Sequence, residues 1–219
     1  MSAKDKAADI VLGVDIGGTF TDFALLKQAS GELYIGKQLT TPDDPGRAFL
    51  EGVDALCKRA GVAHGDLARI SHATTLVTNA IIERKGCVTG LIMTEGFRDV
   101  LVMGRESRYD HYDYRFERPD PMVPRSLTRE VSERMAWNGD VLQPIDLDSA
   151  RRALRELAAA GVTSVAVCLL HAYLNAAHEQ AIRELAAREF PQIDCTISSE
   201  VAPELREYER TSTTVLNAY

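Results

Sequence analysis

Six residues suited to binding a phosphate fall within eight consecutive positions, 15–22, near the start of the chain. They are Asp15, Gly17, Gly18, Thr19, Thr21 and Asp22. Glycines at a tight turn permit positive φ and let backbone N–H groups approach an anion without a Cβ in the way. The threonine hydroxyls add donors, and Asp15 is placed to hold Mg²⁺ through water or to position a nucleophile near the terminal phosphate. A plain Gly-Gly hairpin, with the acid and threonines satisfying the turn, is the alternative. We favour phosphate binding because all these residue types fall together.

A second polar cluster, residues 71–80, lies where a short strand is predicted to lead into a helix. The N–H groups at a helix N-terminus favour anions. His72 is able to donate a proton or to hydrogen-bond a carbonyl, and Thr74, Thr75 and Asn79 would line a polar pocket. The pattern equally permits a structural interpretation, in which Thr74 or Thr75 caps the helix and His72 is a hydrogen-bonded core residue. The residues alone leave both open.

A third cluster, residues 104–113, reads Gly-Arg-Glu-Ser-Arg-Tyr-Asp-His-Tyr-Asp. Two arginines, the first of them Arg105, suit recognition of a small anionic or carbonyl-bearing ligand. The same composition is typical of a solvated loop bound by salt bridges, which we favour from the residues alone. His111 with Asp110 and Asp113 has the ligand types of a metal site, but the spacing is not diagnostic and no metal is predicted there.

The fourth cluster, residues 207–214, is a polar run within an otherwise helical segment. It contains four consecutive hydroxyl residues, 211–214. Such residues compete for backbone hydrogen bonds and are poor in helix interiors. Their presence indicates either a helix start with a simple N-cap or a functional site.

The elements that position these clusters follow from apolar periodicity and turn residues. Strands are predicted at 10–16, 21–26, 33–39, 69–74, 88–94, 162–170 and 193–198. Helices are predicted at 45–60, 76–85, 148–160, 176–189 and 203–219. Asp44 is a plausible cap and Gly61 a plausible stop for the first helix. The later alternation of strands and helices predicts a parallel sheet covered by helices.

The middle of the chain changes character. Residues 104–124 mix charged and aromatic side chains and close with three prolines, which predicts a long ordered loop, and such loops are often functional. Residues 130–137 and 141–145 are predicted to form a hairpin, because Asn138-Gly139 between them suits a turn that needs positive φ.

Composition excludes several classes of function. The 219 residues are 45% hydrophobic and 26% charged, with a net charge of −7 and a pI near 5.3. No basic stripe is available to neutralise nucleic-acid phosphates. The longest apolar stretch is far short of the roughly 20 residues that span a membrane, and the polar N-terminus has no signal core. We therefore expect a cytoplasmic protein whose four cysteines are reduced, with Cys168 packed inside an apolar strand.

The motifs together resemble a known family. They lie at 13–22, 72–86, 96–100, 104–105, 133–134, 167–171 and 207–214. In this order they resemble the N-terminal part of the hydantoinase/oxoprolinase A-type subunits, which include ATP-dependent hydantoinases, 5-oxoprolinase and the related subunit of acetone and acetophenone carboxylases. The Gly-Gly-Thr hairpin alone is shared with sugar kinases, so the resemblance depends on the ordered set.

The resemblance implies an α/β fold of the actin-like ATPase type, shared by acetate kinase, hexokinase and actin. The N-terminal lobe would have a mixed sheet with flanking helices, followed by a second α/β half. It implies a phosphate-binding lobe at 1–145, with an inserted loop at 104–128, and a continuation at 146–219. The second nucleotide-binding lobe is expected beyond Tyr219. This chain alone should then bind ATP weakly or not at all and be inactive, and a micromolar dissociation constant from calorimetry would contradict this.

The resemblance also implies a mechanism. ATP would phosphorylate the carbonyl oxygen of a cyclic amide, such as a hydantoin or 5-oxoproline, and water would then open the ring with help from a B-type partner subunit. In the carboxylases the same step would activate a ketone or bicarbonate, and a non-catalytic truncated module is a further alternative. The full-length protein would be oligomeric.

Residue roles follow from the same resemblance. Asp15 and His72 would be catalytic, and Asp15 would also hold Mg²⁺ through water. The phosphates would be bound by Gly17, Gly18, Thr19, Thr21 and Asp22. The substrate side would use Thr74, Thr75, Asn79 and Arg105.

Overall fold

A computed structural model of the chain describes residues 9–41, 43–106, 112, 115 and 119–219. It contains two compact units, Met1–Lys85 and Gly86–Tyr219. The strands of the first unit are β1 (Ile10–Ile16), β2 (Phe20–Lys27), β3 (Glu32–Leu39) and β4 (Arg69–Thr74). Its helices are α1 (Pro45–Ala60) and α2 (Leu76–Ile82), with a 3₁₀ turn at His64–Asp66. The sheet order is β3-β2-β1-β4, antiparallel except for the parallel pair β1–β4.

Helix α1 confirms the sequence prediction at both ends. The Asp44 side chain accepts a hydrogen bond from the Gly46 N–H, and Gly61 takes the left-handed conformation that ends the helix. The helix packs close to the sheet at Gly52, where an added Cβ would lie 2.1 Å from the Phe23 ring. The core of this unit comprises Leu12, Val14, Phe23, Leu25, Val53, Leu56, Cys57 and Ala60. Helix α1 thus covers one face of the sheet and buries one side of β1 and of β2.

The second unit is built on a parallel sheet. Its strands are β5 (Thr89–Thr94), β6 (Thr128–Val131), β7 (Arg134–Met135), β8 (Val141–Gln143), β9 (Ser164–Cys168) and β10 (Asp194–Ile197). Its helices are α3 (Val100–Met103), α4 (Leu147–Ala159), α5 (Ala177–Glu189), α6 (Ser198–Val201) and α7 (Glu207–Ala218), with a 3₁₀ turn at Arg125–Leu127. The order β10-β9-β5-β6 is parallel throughout, and β7 pairs with β8 as a separate hairpin.

This parallel sheet contains strands from both sides of the predicted domain boundary. The expected division was at 145/146, whereas β5 and β6 lie in one sheet with β9 and β10. The division of the described structure falls at Lys85/Gly86 instead. Parallel neighbours are distant along the chain, so local patterns do not reveal which strands share a sheet.

The predicted hairpin at 130–137 and 141–145 is only partly confirmed. Glu130 and Val131 belong to β6 and pair with Met93 and Thr94 in the parallel sheet. Only the shorter β7 and β8 form the hairpin, whose turn has Gly139 at φ 88°, as the Asn-Gly signal predicts.

Two helices differ in length from their predictions. Helix α2 ends at Ile82 rather than at 85, and Arg84 follows with φ 55°. Helix α7 begins at Glu207 rather than at 203. The other predicted elements are found within two residues or so of their expected bounds, which is the usual fraying of element ends.

None of the helices in the described ranges combines the length and apolarity needed to cross a membrane.

Candidate functional site

The hairpin that joins β1 to β2 is closed by the Gly17 N–H, which donates to Phe20 O at 2.9 Å. Neither Gly17 nor Gly18 has positive φ, so the expectation of a positive-φ turn is wrong. Glycine is required here by close approach instead. A Cβ at Gly17 would lie 2.9 Å from Phe20 O, and one at Gly18 would lie 3.1 Å from Asn79 Nδ2. The backbone of Gly18 and Thr19 is left at the exposed tip of the turn.

Two acids of the motif lie directly opposite each other, Asp15 on β1 and Asp22 on β2. Paired residues of neighbouring strands project from the same face. Lys37, opposite Asp22 on β3, donates to the Asp22 carboxylate at 2.9 Å and lies over the Phe20 ring. Asp15 is exposed, and its carboxylate has no hydrogen bond or ion pair with any residue of the described ranges. Of the two carboxylates, Asp15 is therefore the one available for a ligand.

The two threonines of the hairpin have different surroundings. Thr19 is exposed at the tip, whereas Thr21 is fully buried and shares a hydrogen bond of 3.0 Å with the Thr40 hydroxyl. The Thr40 hydroxyl also donates to Gly17 O at 2.9 Å, and the Thr40 N–H donates to Thr19 O. Thr21 thus supports the turn through Thr40 rather than facing solvent. Sequence reasoning missed Thr40, whose only signal is a hydroxyl directly after the third apolar run.

The second cluster lies beside the hairpin because β4 pairs in parallel with β1. The hydroxyl of Thr74 and the N–H of Thr75 both donate to Ile16 O, each at 3.2 Å. Asn79 donates to the Thr75 hydroxyl at 3.3 Å, and its amide lies against Gly18. The structure therefore brings Thr74, Thr75 and Asn79 to the end of β1, where the hairpin begins.

His72 lies apart from Asp15. In the β1–β4 register, Asp15 is paired with Ala73, while His72 is paired with Val14. Because successive residues of a strand project from opposite faces, His72 and Asp15 are on opposite faces of the sheet. His72 is exposed, so it is not the core residue of the structural interpretation.

The third and fourth clusters meet in the second unit. Arg105 Nε donates to Glu209 Oε1 at 2.7 Å. A Cβ added at Gly104 would lie 3.8 Å from the Tyr208 ring. The ion pair agrees with the favoured interpretation of a loop bound by salt bridges.

The histidine and aspartates of the third cluster, at 110, 111 and 113, lie outside the described residues, as do 107–109, 114 and 116–118. Within the described ranges, no group of three or more metal-ligating residues is found.

The hydroxyl run at 211–214 does not start a helix but lies inside α7. Thr213 and Thr214 donate to the carbonyls of Glu209 and Arg210, four residues back, at 2.9 and 2.7 Å. Thr211 and Thr214 are fully buried. Back-bonding to the preceding turn satisfies the Thr213 and Thr214 hydroxyls within the helix, and the Thr211 hydroxyl contacts Met93 Sδ, so the N-cap interpretation is wrong.

The cysteines offer no activated thiol in the buried strands. Cys168 is 1% exposed in β9, and burial raises its pKa to about 12. Burial likewise raises the pKa of Cys195 to about 12. A thiol with so high a pKa is protonated at neutral pH and is a poor nucleophile. This confirms the prediction of a packed Cys168.

Comparison with known proteins places the chain in a family. A family model described as the hydantoinase/oxoprolinase N-terminal region matches residues 11–190. The chain is 34% identical over 225 residues to the acetophenone carboxylase gamma subunit of Aromatoleum aromaticum, covering 95% of this chain and 30% of that protein.

Two solved structures are similar throughout the chain. A nucleotide-free acetone carboxylase structure has a TM-score of 0.86 at 31% identity, over 96% of this chain and 32% of that one. The ATP-dependent caprolactamase from Pseudomonas jessenii has a TM-score of 0.82 at 32% identity, over 95% and 31%. The chain thus spans about a third of the length of each of these three relatives. The likeness confirms the predicted fold of the actin-like ATPase type. The chain belongs to the hydantoinase/oxoprolinase family and corresponds to its N-terminal region.

Proposed function

We propose that the turn between β1 and β2 binds the phosphates of ATP. The observation that supports this most directly is an exposed turn at Gly18-Thr19 next to the Asp15 carboxylate at the end of β1, which has no hydrogen-bond or ion-pair partner among the described residues. Exposed backbone N–H groups and a threonine hydroxyl are donors for phosphate oxygens. The Asn79 amide against Gly18 adds a polar side chain to the same end of the sheet.

Asp15 also fits a magnesium ion. Mg²⁺ keeps several waters and is held in nucleotide sites by one or two carboxylates together with substrate phosphates, so a single free carboxylate beside a phosphate site suffices. Magnesium would neutralise the charge that develops on the transferred phosphoryl group. Asp22 is less suited to this role because its carboxylate is already paired with Lys37.

The reaction that we propose is ATP-dependent opening of a cyclic amide. The amide carbonyl oxygen attacks the γ-phosphorus, the bond to ADP breaks, and the phosphorylated amide carbon becomes electrophilic. A first water adds to that carbon and the C–N bond breaks, which releases the ring nitrogen as an amine and leaves an acyl phosphate. A second water then cleaves the acyl phosphate to a carboxylate and inorganic phosphate, so each ring opened consumes one ATP and two waters. Similarity to an ATP-dependent caprolactamase supports this assignment. A hydantoin or 5-oxoproline is the proposed substrate, with Thr74, Thr75 and Asn79 on the substrate side.

Ketone carboxylation is the second candidate. The chain is as similar to acetone and acetophenone carboxylase subunits as it is to the caprolactamase. The same phosphoryl transfer to a carbonyl oxygen would activate a ketone or bicarbonate, so the site described here serves either substrate class. Since several relatives are named as subunits, we also propose a B-type partner and an oligomeric full-length protein. The proposed location is the cytoplasm.

Phosphate release by the full-length protein with its partner subunit tests this proposal. Hydantoin, 5-oxoproline, caprolactam and acetone with bicarbonate are supplied in turn with ATP and Mg²⁺. Release stimulated by a cyclic amide supports the leading proposal, and stimulation by the ketone alone supports the second candidate. Release that no substrate stimulates contradicts both.

A further inference from the structure

A turn at the carboxyl end of β9 holds a residue in an unfavourable backbone conformation. His171 has φ 56°, in the left-handed region that side-chain-bearing residues rarely occupy. The turn follows β9, one of the two inner strands of the parallel sheet, and ligands of parallel sheets bind outside the carboxyl ends of strands. A strained residue that the surroundings enforce is a pointer to function.

The surroundings do enforce this turn. The Leu169 N–H donates to the buried Glu179 carboxylate at 2.9 Å, and the Leu170 N–H donates to the Thr94 hydroxyl at 3.0 Å. Arg210, 1% exposed, donates through Nη2 to Leu169 O at 2.8 Å. Three buried polar side chains therefore bind two consecutive backbone residues immediately before His171.

Thr94 is itself held by a buried pair. Its hydroxyl donates to Glu133 Oε1, and the other Glu133 oxygen lies 2.7 Å from His178 Nδ1. Glu133 is 2% exposed and His178 is 6% exposed. Burying charged and polar groups costs free energy unless they are hydrogen-bonded. A turn that is held by several such groups is therefore a candidate for a functional role.

Arg210 holds a second turn in the same way. Its Nη1 donates to Glu204 O at 2.9 Å, and Arg206, two residues later, has φ 84°. His171 and Arg206 therefore have the same relation to Arg210. Each lies two positions after a residue whose carbonyl accepts a hydrogen bond from the Arg210 guanidinium. No carboxylate of the described residues lies within ion-pair distance of Arg210.

Polar atoms in this cluster lack partners. His171 Nδ1 and Arg210 Nε are buried without a hydrogen bond in the described structure. The Tyr173 ring connects the two, since it lies edge-on to His171 with centroids 6.2 Å apart and under the Arg210 guanidinium at 5.5 Å. A buried unsatisfied donor or acceptor costs free energy, and a ligand that supplies the partner would recover it.

We propose that the turn at His171 is a binding site for a small oxyanion, phosphate or carboxylate, which His171 contacts. Arg210, which has no direct ion pair within the described residues, supplies positive charge and positions the turn, and Arg206 adds a second cation on the other turn that Arg210 holds. The site lies wholly within the second unit. It is therefore independent of the hairpin between β1 and β2, and neither proposal rests on the other.

Histidine-selective NMR of the whole chain with inorganic phosphate tests this inference. The ring resonances of His171, assigned by loss of signal in His171→Asn, should shift saturably with phosphate and not with chloride at equal ionic strength. A parallel titration with acetate separates a general oxyanion site from a phosphate site. His64, which pairs with Asp54 in the first unit, is the internal reference. The signal reports on the His171 ring itself and does not depend on phosphate release by the full-length protein.

The variants have defined outcomes. Arg206→Gln, an exposed change, should weaken phosphate binding by about tenfold. Arg210→Lys keeps the charge but loses the two-carbonyl contact, and should abolish the shift. His171→Gly should raise the melting temperature, since glycine accepts this φ, while removing the contact. A His171 signal unmoved by both phosphate and acetate, or moved equally by chloride, overturns the proposal, as does unchanged affinity in Arg206→Gln.

Discussion

Asp15 on β1 and Asp22 on β2 lie directly opposite each other, and only Asp22 has a cationic partner, the Lys37 ammonium at 2.9 Å. Asp15 makes no contact of this kind with any described residue. Lys37 thus neutralises the Asp22 carboxylate, while the Asp15 carboxylate, beside the turn, has no such partner among the described residues. A free, exposed carboxylate at this position is suited to a metal-bound phosphate.

The turn itself depends on the space at Gly17. Gly17→Ala should destabilise the protein by about 1–3 kcal/mol, because the new Cβ would lie 2.9 Å from the backbone oxygen of Phe20, which cannot rotate away. Chemical denaturation measures the change. Gly13→Ala, on the strand that leads into the turn, is the matched control, since its nearest non-neighbouring atom would be 3.8 Å away. Equal stabilities of the two variants would contradict the close-approach explanation.

Thr40 should be energetically coupled to Thr21. Thr40→Val removes the hydroxyl that joins Thr21 to Gly17 O, and should cost about 1–3 kcal/mol because the buried Thr21 hydroxyl loses its partner. In the double variant with Thr21→Val, the second change should cost less than it does alone. Denaturant unfolding of the four proteins gives the coupling energy. Strict additivity would show that the two hydroxyls do not act together.

Two substitutions of Glu133, which pairs with His178 in the interior, should distinguish loss of charge from loss of hydrogen bonding. Glu133→Leu leaves His178 and Thr94 without their shared acceptor and should cost about 3–5 kcal/mol. Glu133→Gln retains a side-chain oxygen and should cost about 1 kcal/mol. Thermal and denaturant unfolding measure both. Similar losses in the two variants would mean that the charge, and not the hydrogen-bond geometry, holds this network.

The Arg151–Glu189 pair should produce an acid-dependent stability. Hydrogen bonding to Arg151 lowers the Glu189 pKa to about 2, from 4.5. A carboxyl whose pKa is lower in the folded state stabilises the protein above its unfolded-state pKa, and the effect disappears as pH falls through the folded value. The stability difference between wild type and Arg151→Met should therefore be constant above pH 4.5 and shrink towards pH 2.

Urea unfolding at a series of pH values measures this difference. Arg152→Met, on the same helix, is the control, because Arg152 lies 3.8 Å from Asp146 and makes a looser pair. A difference for Arg151→Met that grows as the pH falls would reverse the predicted sign and remove Arg151 as the cause.

Local signals in the sequence predicted local structure well. Asp44 and Gly61 gave both ends of α1, and the Asn138-Gly139 pair gave the β7–β8 turn, because caps and tight turns are decided by neighbouring residues. The assignment of Glu130 to a hairpin failed because its partner, Met93, lies in a distant strand.

The candidate site shows the same limit. Its residue types were evident at Asp15 and Gly18, and the ordered motifs indicated the family. The Thr40 support, the Asn79 contact with Gly18 and the Arg105–Glu209 ion pair all join residues far apart in the chain. The opposite faces of Asp15 and His72 follow from a strand register that only the folded sheet defines.

The most direct test compares Asp15→Asn with Asp22→Asn for substrate-stimulated phosphate release by the full-length protein and its partner subunit. Both changes remove one carboxylate charge from the same face of the sheet, so the pair is matched. Asp15→Asn should lower release by about a hundredfold or more without changing the melting temperature, while Asp22→Asn should keep most of it. Full activity in Asp15→Asn, or an equal loss in both variants, would contradict the assignment of Asp15 to the phosphate site.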